Sequence, residues 1–128
     1  MAIPSGSGTE VLRRGAVLTL SNSTTALRWD GTSPTTGTQT YTVPANHIIT
    51  LLSMIWCETA GADELVYMQV VPSGSSTHNI LREQSIPSKS TFIFNDKLVL
   101  HPGDKMTIEL ASAGDIDVYY SYIDQDWS

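Results

Sequence analysis

The side chains of this 128-residue sequence that could do chemistry are three histidines, one cysteine and a scatter of carboxylates. The most suggestive run is KLVLHPGDKMTIEL, residues 97–110, where His101 and Asp104 flank a Pro-Gly kink. A histidine and an aspartate brought together by a turn could begin a metal or catalytic site. They could equally be punctuation between two strands. Spacing favours punctuation. His47, His78 and His101 are 31 and 23 residues apart, which matches no local metal motif such as two histidines one helical turn apart. Pro102 suits the second position of a tight turn, Gly103 the third, where a positive φ is cheap, and Asp104 can cap it. His101 then reads as a solvated rim residue.

The remaining candidates are equally bland. Asp63-Glu64 and Asp115/Asp117 are the nearest carboxylate pairs for a glycosidase. The first follows a glycine turn and the second alternates with the apolar face of its own strand, so solubility at an exposed edge explains both. No serine stands in a Gly-x-Ser-x-Gly elbow. SGSG and PSGSS lack the lysine and following helix of a phosphate loop. Cys57, alone in LLSMIWCE, excludes an intrachain disulfide and a Cys-based zinc site and reads as a small buried hydrophobe. Asp115, Asp117, Asp124 and Asp126 fall in a tail with no cation to balance them, but not at the alternate positions of a helix-loop-helix calcium loop. The expectation is no enzyme, no cofactor and no metal.

Seven basic against thirteen acidic residues give a formal charge of −6 and a pI near 4.7. Nucleic-acid affinity rests on clustered Lys and Arg, so no nucleic-acid partner is expected. No run of about 18 apolar residues exists, so no membrane-spanning helix is expected either. The opening MAIPSGSGTE lacks the basic start and apolar core of a secretory signal. Residues 1–14 read as a flexible arm and 15–128 as one domain.

The elements that must hold these residues are strands. Apolar and polar residues alternate with period two: Met106, Ile108 and Leu110 share a face, as do Ile116, Val118, Tyr120 and Tyr122, and Val66, Met68 and Val70. Turn residues punctuate the chain at SGSG, DGTSPTTG, VPAN, TAGAD, VPSGSS, IPSK, HPGD and SAGD. Strands are predicted at 15–21, 25–30, 38–43, 47–57, 64–71, 78–84, 90–100, 104–111 and 115–123. Short strands with turns every 8–12 residues or so predict an all-β, single-domain antiparallel sandwich or jelly roll of about eight strands. TVPANHIITL and SIPSKSTFIF echo one another, each proline marking a corner.

One strand breaks the alternation. HIITLLSMIWCE is apolar on both faces, with Leu52, Met54 and Trp56 on one and Ile49, Leu51 and Ile55 on the other. Such a strand must be covered twice, by a loop or arm or by another subunit. Among the aromatics, Trp56, Tyr120 and Tyr122 read as core. Trp29, Tyr119 and Trp127 remain as surface contacts, for a protein or for a sugar.

The run YTVPANHIITLLSMIWCETAG, then ELVYMQVVPSG, then SIPSKSTFIFNDKLVLHPGDKMTIELASAGDIDVYYSYID resembles small β-sandwich virion proteins of tailed bacteriophages. The likeness covers residues 41–123. It implies a non-enzymatic structural protein of the virion, assembled in the bacterial cytoplasm, most like a capsid decoration (cement) protein. Its partners would be itself, as a homotrimer, and the major capsid protein or other virion proteins. A tail accessory or fibre-associated sandwich that binds host-surface carbohydrate is the alternative. Candidate interface residues are Arg13, Arg14, Trp29, Leu51, Ile55, Tyr119 and Trp127, with the two arginines meeting acidic neighbours.

Overall fold

The computed structural model describes residues 9–127. Within them the chain forms nine strands: β1 Thr9–Leu20, β2 Thr25–Ala26, β3 His47–Glu58, β4 Glu64–Val71, β5 His78–Ile86, β6 Thr91–Phe94, β7 Leu98–Leu100, β8 Lys105–Leu110 and β9 Ile116–Asp126. They build two antiparallel sheets, one in the order β1-β9-β3-β6 with β7 also on β3, the other in the order β2-β8-β4-β5. With β6 and β7 taken as one interrupted strand, this is the eight-strand order of a jelly roll, and the all-β sandwich expected from the alternation is what forms.

The core lies between the sheets. Trp29, Trp56, Tyr120, Tyr122, Ile49, Leu51, Met54 and Met68 are its largest fully buried side chains, joined by Val66, Ile108 and Leu110. Met106, Ile116 and Val118 point inward as the period-two pattern predicts, and Val70 packs against their cluster.

Boundaries differ from expectation where pairing, not pattern, sets them. β1 already pairs with β9 at Thr9↔Asp126, so residues 9–14, expected in the arm, are a strand. The rest of the expected arm, residues 1–8, lies outside the described residues. No strand forms at 38–43; that segment contributes single bonds, such as Val43 N–H to the Asp104 carbonyl at 2.9 Å. The strand expected over 25–30 is only Thr25–Ala26, and the one over 90–100 is split at Asn95-Asp96-Lys97.

The HPGD turn forms as read, with the Asp104 N–H on the His101 carbonyl at 3.0 Å, the Asp104 carboxylate on the His101 N–H at 2.8 Å, and Gly103 at φ 86°. It does not make a hairpin. β7 belongs to one sheet and β8 to the other, so the turn carries the chain across the sandwich. The proline corners also share one geometry. In Pro44–His47 and Pro87–Ser90 the fourth N–H returns to the proline carbonyl and the third residue, Asn46 or Lys89, has a positive φ. Pro72–Ser75 repeats it with Gly74.

Candidate functional site

Several carboxylates of the chain hold turns and sheet ends. Glu58 is buried and accepts N–H groups from Ala60 at 2.7 Å, Gly61 at 2.8 Å and Lys89 at 2.9 Å, tying two turns together. Those donors, the Lys89 N–H foremost, pull its carboxyl below the ordinary range. Asp63 accepts the Ser88 N–H and Asp117 the Thr19 N–H. Glu64 is also buried; desolvation, then the charge of Glu58, raises its pKa. Among the described residues no three His, Cys, Asp or Glu side chains group so as to hold a metal ion.

The tail carboxylates are not all unbalanced. Asp124 is buried and takes the Arg13 Nε at 3.0 Å and the His47 Nδ1 at 2.6 Å, while His47 Nε2 lies 3.8 Å from Asp126. Arg13 therefore serves its own chain, as does His47, which is not a free rim imidazole.

Two of the expected interface residues are core. Trp29 is fully buried, edge-on to Tyr120 and Tyr122 at ring distances of 5.5 and 5.0 Å. Leu51 is also fully buried. The reason is a β-bulge: β3 pairs Leu51 with Tyr122 and then Ser53 with Ser121, leaving Leu52 as an extra residue. The insertion reverses the parity of everything after it. Ile49 and Leu51 before the bulge and Met54 and Trp56 after it therefore face the same core, so the strand that reads as apolar on both faces has one face apolar from Ile49 to Trp56 and one mixed face.

That mixed outer face is where the surviving candidates lie. Cross-strand pairing sets Ala16, Tyr119, Ile55 and Ile93 in one row across β1, β9, β3 and β6. A second row runs Leu12, Ile123, Thr50 and Val99 across β1, β9, β3 and β7. Leu12 is 76% exposed, Ile93 and Val99 57% each, and Tyr119 42%. Two shallow depressions of about 280 and 450 Å³ flank Tyr119, the first lined by Leu18, Ile55 and Cys57, the second by Leu12, Arg14 and Leu52. Cys57 is therefore half-exposed on this face rather than buried. Trp127 is half-buried at the end of the chain, its N–H on the Asn46 carbonyl.

The other sheet presents a different surface. A trough of about 390 Å³ there is lined by Asn22, Tyr67, Gln69, Arg82 and Glu109, several already bonded to neighbours: Tyr67 to Glu83, Gln69 to Asn79, Thr24 to Glu109. Leu65 is the one large exposed apolar side chain on its described strands. The apolar outer face of the five-stranded sheet is thus the candidate site. Sequence pattern found Ile55, Tyr119 and Arg14 but missed Leu12, Ile93, Ile123 and Val99. Alternation alone carried a signal in EVLR and TFIF, but which phase faces out depends on the partner strand.

No protein-family model matches the chain, and no curated protein matches it in sequence. Among solved structures it is similar to a chain from Bacillus endospore appendages, described as forming a novel family of disulfide-linked pili. The TM-score is 0.52 over all of this chain and 97% of that one, at 13% identity. The likeness is one of fold.

Proposed function

We propose that the chain is a non-enzymatic structural subunit of a virion that seats the outer face of its five-stranded sheet on a neighbouring protein of the particle. The observation that carries this is the set of exposed apolar side chains on one face of the sandwich, Tyr119, Ile55 and Ile93 in one cross-strand row and Leu12 and Val99 in the other. Large contiguous apolar surface is covered in a working assembly. The resemblance to tailed-phage sandwiches supports a phage particle, with a capsid decoration protein as the first reading. A fold shared with a pilus structure suits an assembly subunit as well.

A disulfide-linked filament does not fit these 128 residues. One thiol per copy joins two copies and no more, so Cys57 cannot propagate a chain. Carbohydrate binding loses one of its three candidate aromatics because Trp29 is inside the core, and in the polar trough over Tyr67 several side chains are already bonded to neighbours.

The test is the pair Ile55→Asp and Ile93→Asp, introduced together into the source genome. Purified particles should lack the chain, by mass spectrometry, while the isolated variant keeps a wild-type melting curve. Particles that retain it at wild-type level, or that never carry the wild-type chain, overturn the reading.

A further inference from the structure

The five-stranded sheet ends in a long margin that is only partly capped. β1 is its edge strand. The Ala16 N–H goes to Ser33 Oγ at 3.1 Å, and the Leu18 carbonyl accepts from Thr36 Oγ1. In an antiparallel ladder a residue turns both backbone groups toward one neighbour, and the next residue turns its own the other way. Ala16 therefore shows that the even residues of β1 point theirs away from β9. By that parity Glu10, Leu12 and Arg14 present theirs to the open edge, where no described residue hydrogen-bonds them.

A bare edge of this length is a template for another strand, and the segment's own chemistry says which. In Glu10-Val11-Leu12-Arg13-Arg14 an acid stands two residues before Leu12 and a base two after it. Arg13 is occupied with Asp124, while Arg14 is exposed on the outer face. An antiparallel copy centred on Leu12 sets Leu12 against Leu12 and Glu10 against Arg14 of the copy, twice over. Opposite charges directly across a ladder attract and like charges repel.

We infer that two copies of this chain join edge to edge through β1, about a two-fold axis at Leu12, into one continuous sheet. Directly opposed residues point to the same side, so both apolar outer faces lie on one side of the dimer and double the docking surface. The inference rests on the assembly reading for its purpose, and of the docking face its contacts use only Leu12 and Arg14. It replaces the trimer that the resemblance implies.

Light scattering at tens of micromolar protein and low salt tests it. The wild type should weigh twice 13.9 kDa. Glu10→Arg alone and Arg14→Glu alone should each weaken the dimer about ten-fold or more, and the two together should return it to within about three-fold of wild type. A monomer, a trimer indifferent to these changes, or a double variant as weak as the singles overturns the proposal. In a Cys57→Ser background, Leu12→Cys should oxidise to a covalent dimer and Leu18→Cys should not; equal cross-linking of both overturns it as well. Ile55→Asp with Ile93→Asp should leave the dimer intact, so failure of the docking face and failure of the edge read out separately.

Discussion

A Cβ on Gly15 would lie 2.3 Å from the ring of Tyr120, which crosses over that residue from the facing strand. Gly15→Ala should therefore destabilise the fold by about 1–3 kcal/mol in urea denaturation, the usual cost of overpacking. The ring is fixed because its hydroxyl donates to the Arg28 carbonyl at 2.7 Å, while the Tyr122 hydroxyl accepts the Gly31 N–H at 2.9 Å. Burial pushes the Tyr122 phenol up to about 12 and raises Tyr120 further. A phenol that ionises later in the folded state than in the unfolded chain stabilises fully below pH 10 or so and loses that stability as pH rises through its folded value. Stability should thus fall steeply above pH 10, and Tyr122→Phe should flatten that slope in melts taken from pH 8 to 12. Glu64 works in the same sense at the acid end: its raised pKa means that its contribution fades as pH climbs past the ordinary carboxylate range. Glu64→Gln should accordingly melt higher than wild type at pH 7 and no higher at pH 4. None of this was legible in the residues, because each effect depends on what stands opposite across the sandwich.

β3 shows how one inserted residue changes the meaning of a strand. Its sequence reads as apolar on both faces, and the bulge at Leu52 resolves this by turning Leu51 and Met54 to the same side. Leu51→Asp should then leave no folded protein, since an unpaired buried charge costs several kcal/mol against a total of roughly 5–15. Ile55→Asp, four positions on but facing out, should keep the wild-type far-ultraviolet spectrum and melting point. Equal behaviour of the two variants would contradict the register. The turns were more legible. HPGD and the proline corners are local chemistry, and they form where the sequence places them, although HPGD joins different sheets. Lys89 holds a left-handed conformation at φ 57°, costly for a residue with a Cβ. Lys89→Gly should stabilise by about 0.5–1 kcal/mol, read as a higher urea midpoint.

For the molecule as a whole, the sandwich divides its surface unequally. One sheet shows water a polar trough with internal hydrogen bonds; the other shows two mostly apolar rows and an edge strand whose residues 10–14 no described residue pairs on the outer side. Both the docking face and the β1 edge belong to the five-stranded sheet, so pairing and seating involve the same side of the protein and meet at Leu12 and Arg14. Period-two alternation and turn chemistry suffice for the all-β fold, the identity of most core residues and the corners. These are local properties, written within a few residues of chain. Only long-range pairing settles which phase of each strand faces out, that Thr9–Arg14 is a strand and Trp29 core, and that Arg13 and His47 both bond Asp124. Those outcomes turn on register between segments as far apart as Arg13 and Asp124, where a one-residue slip exchanges inside for outside.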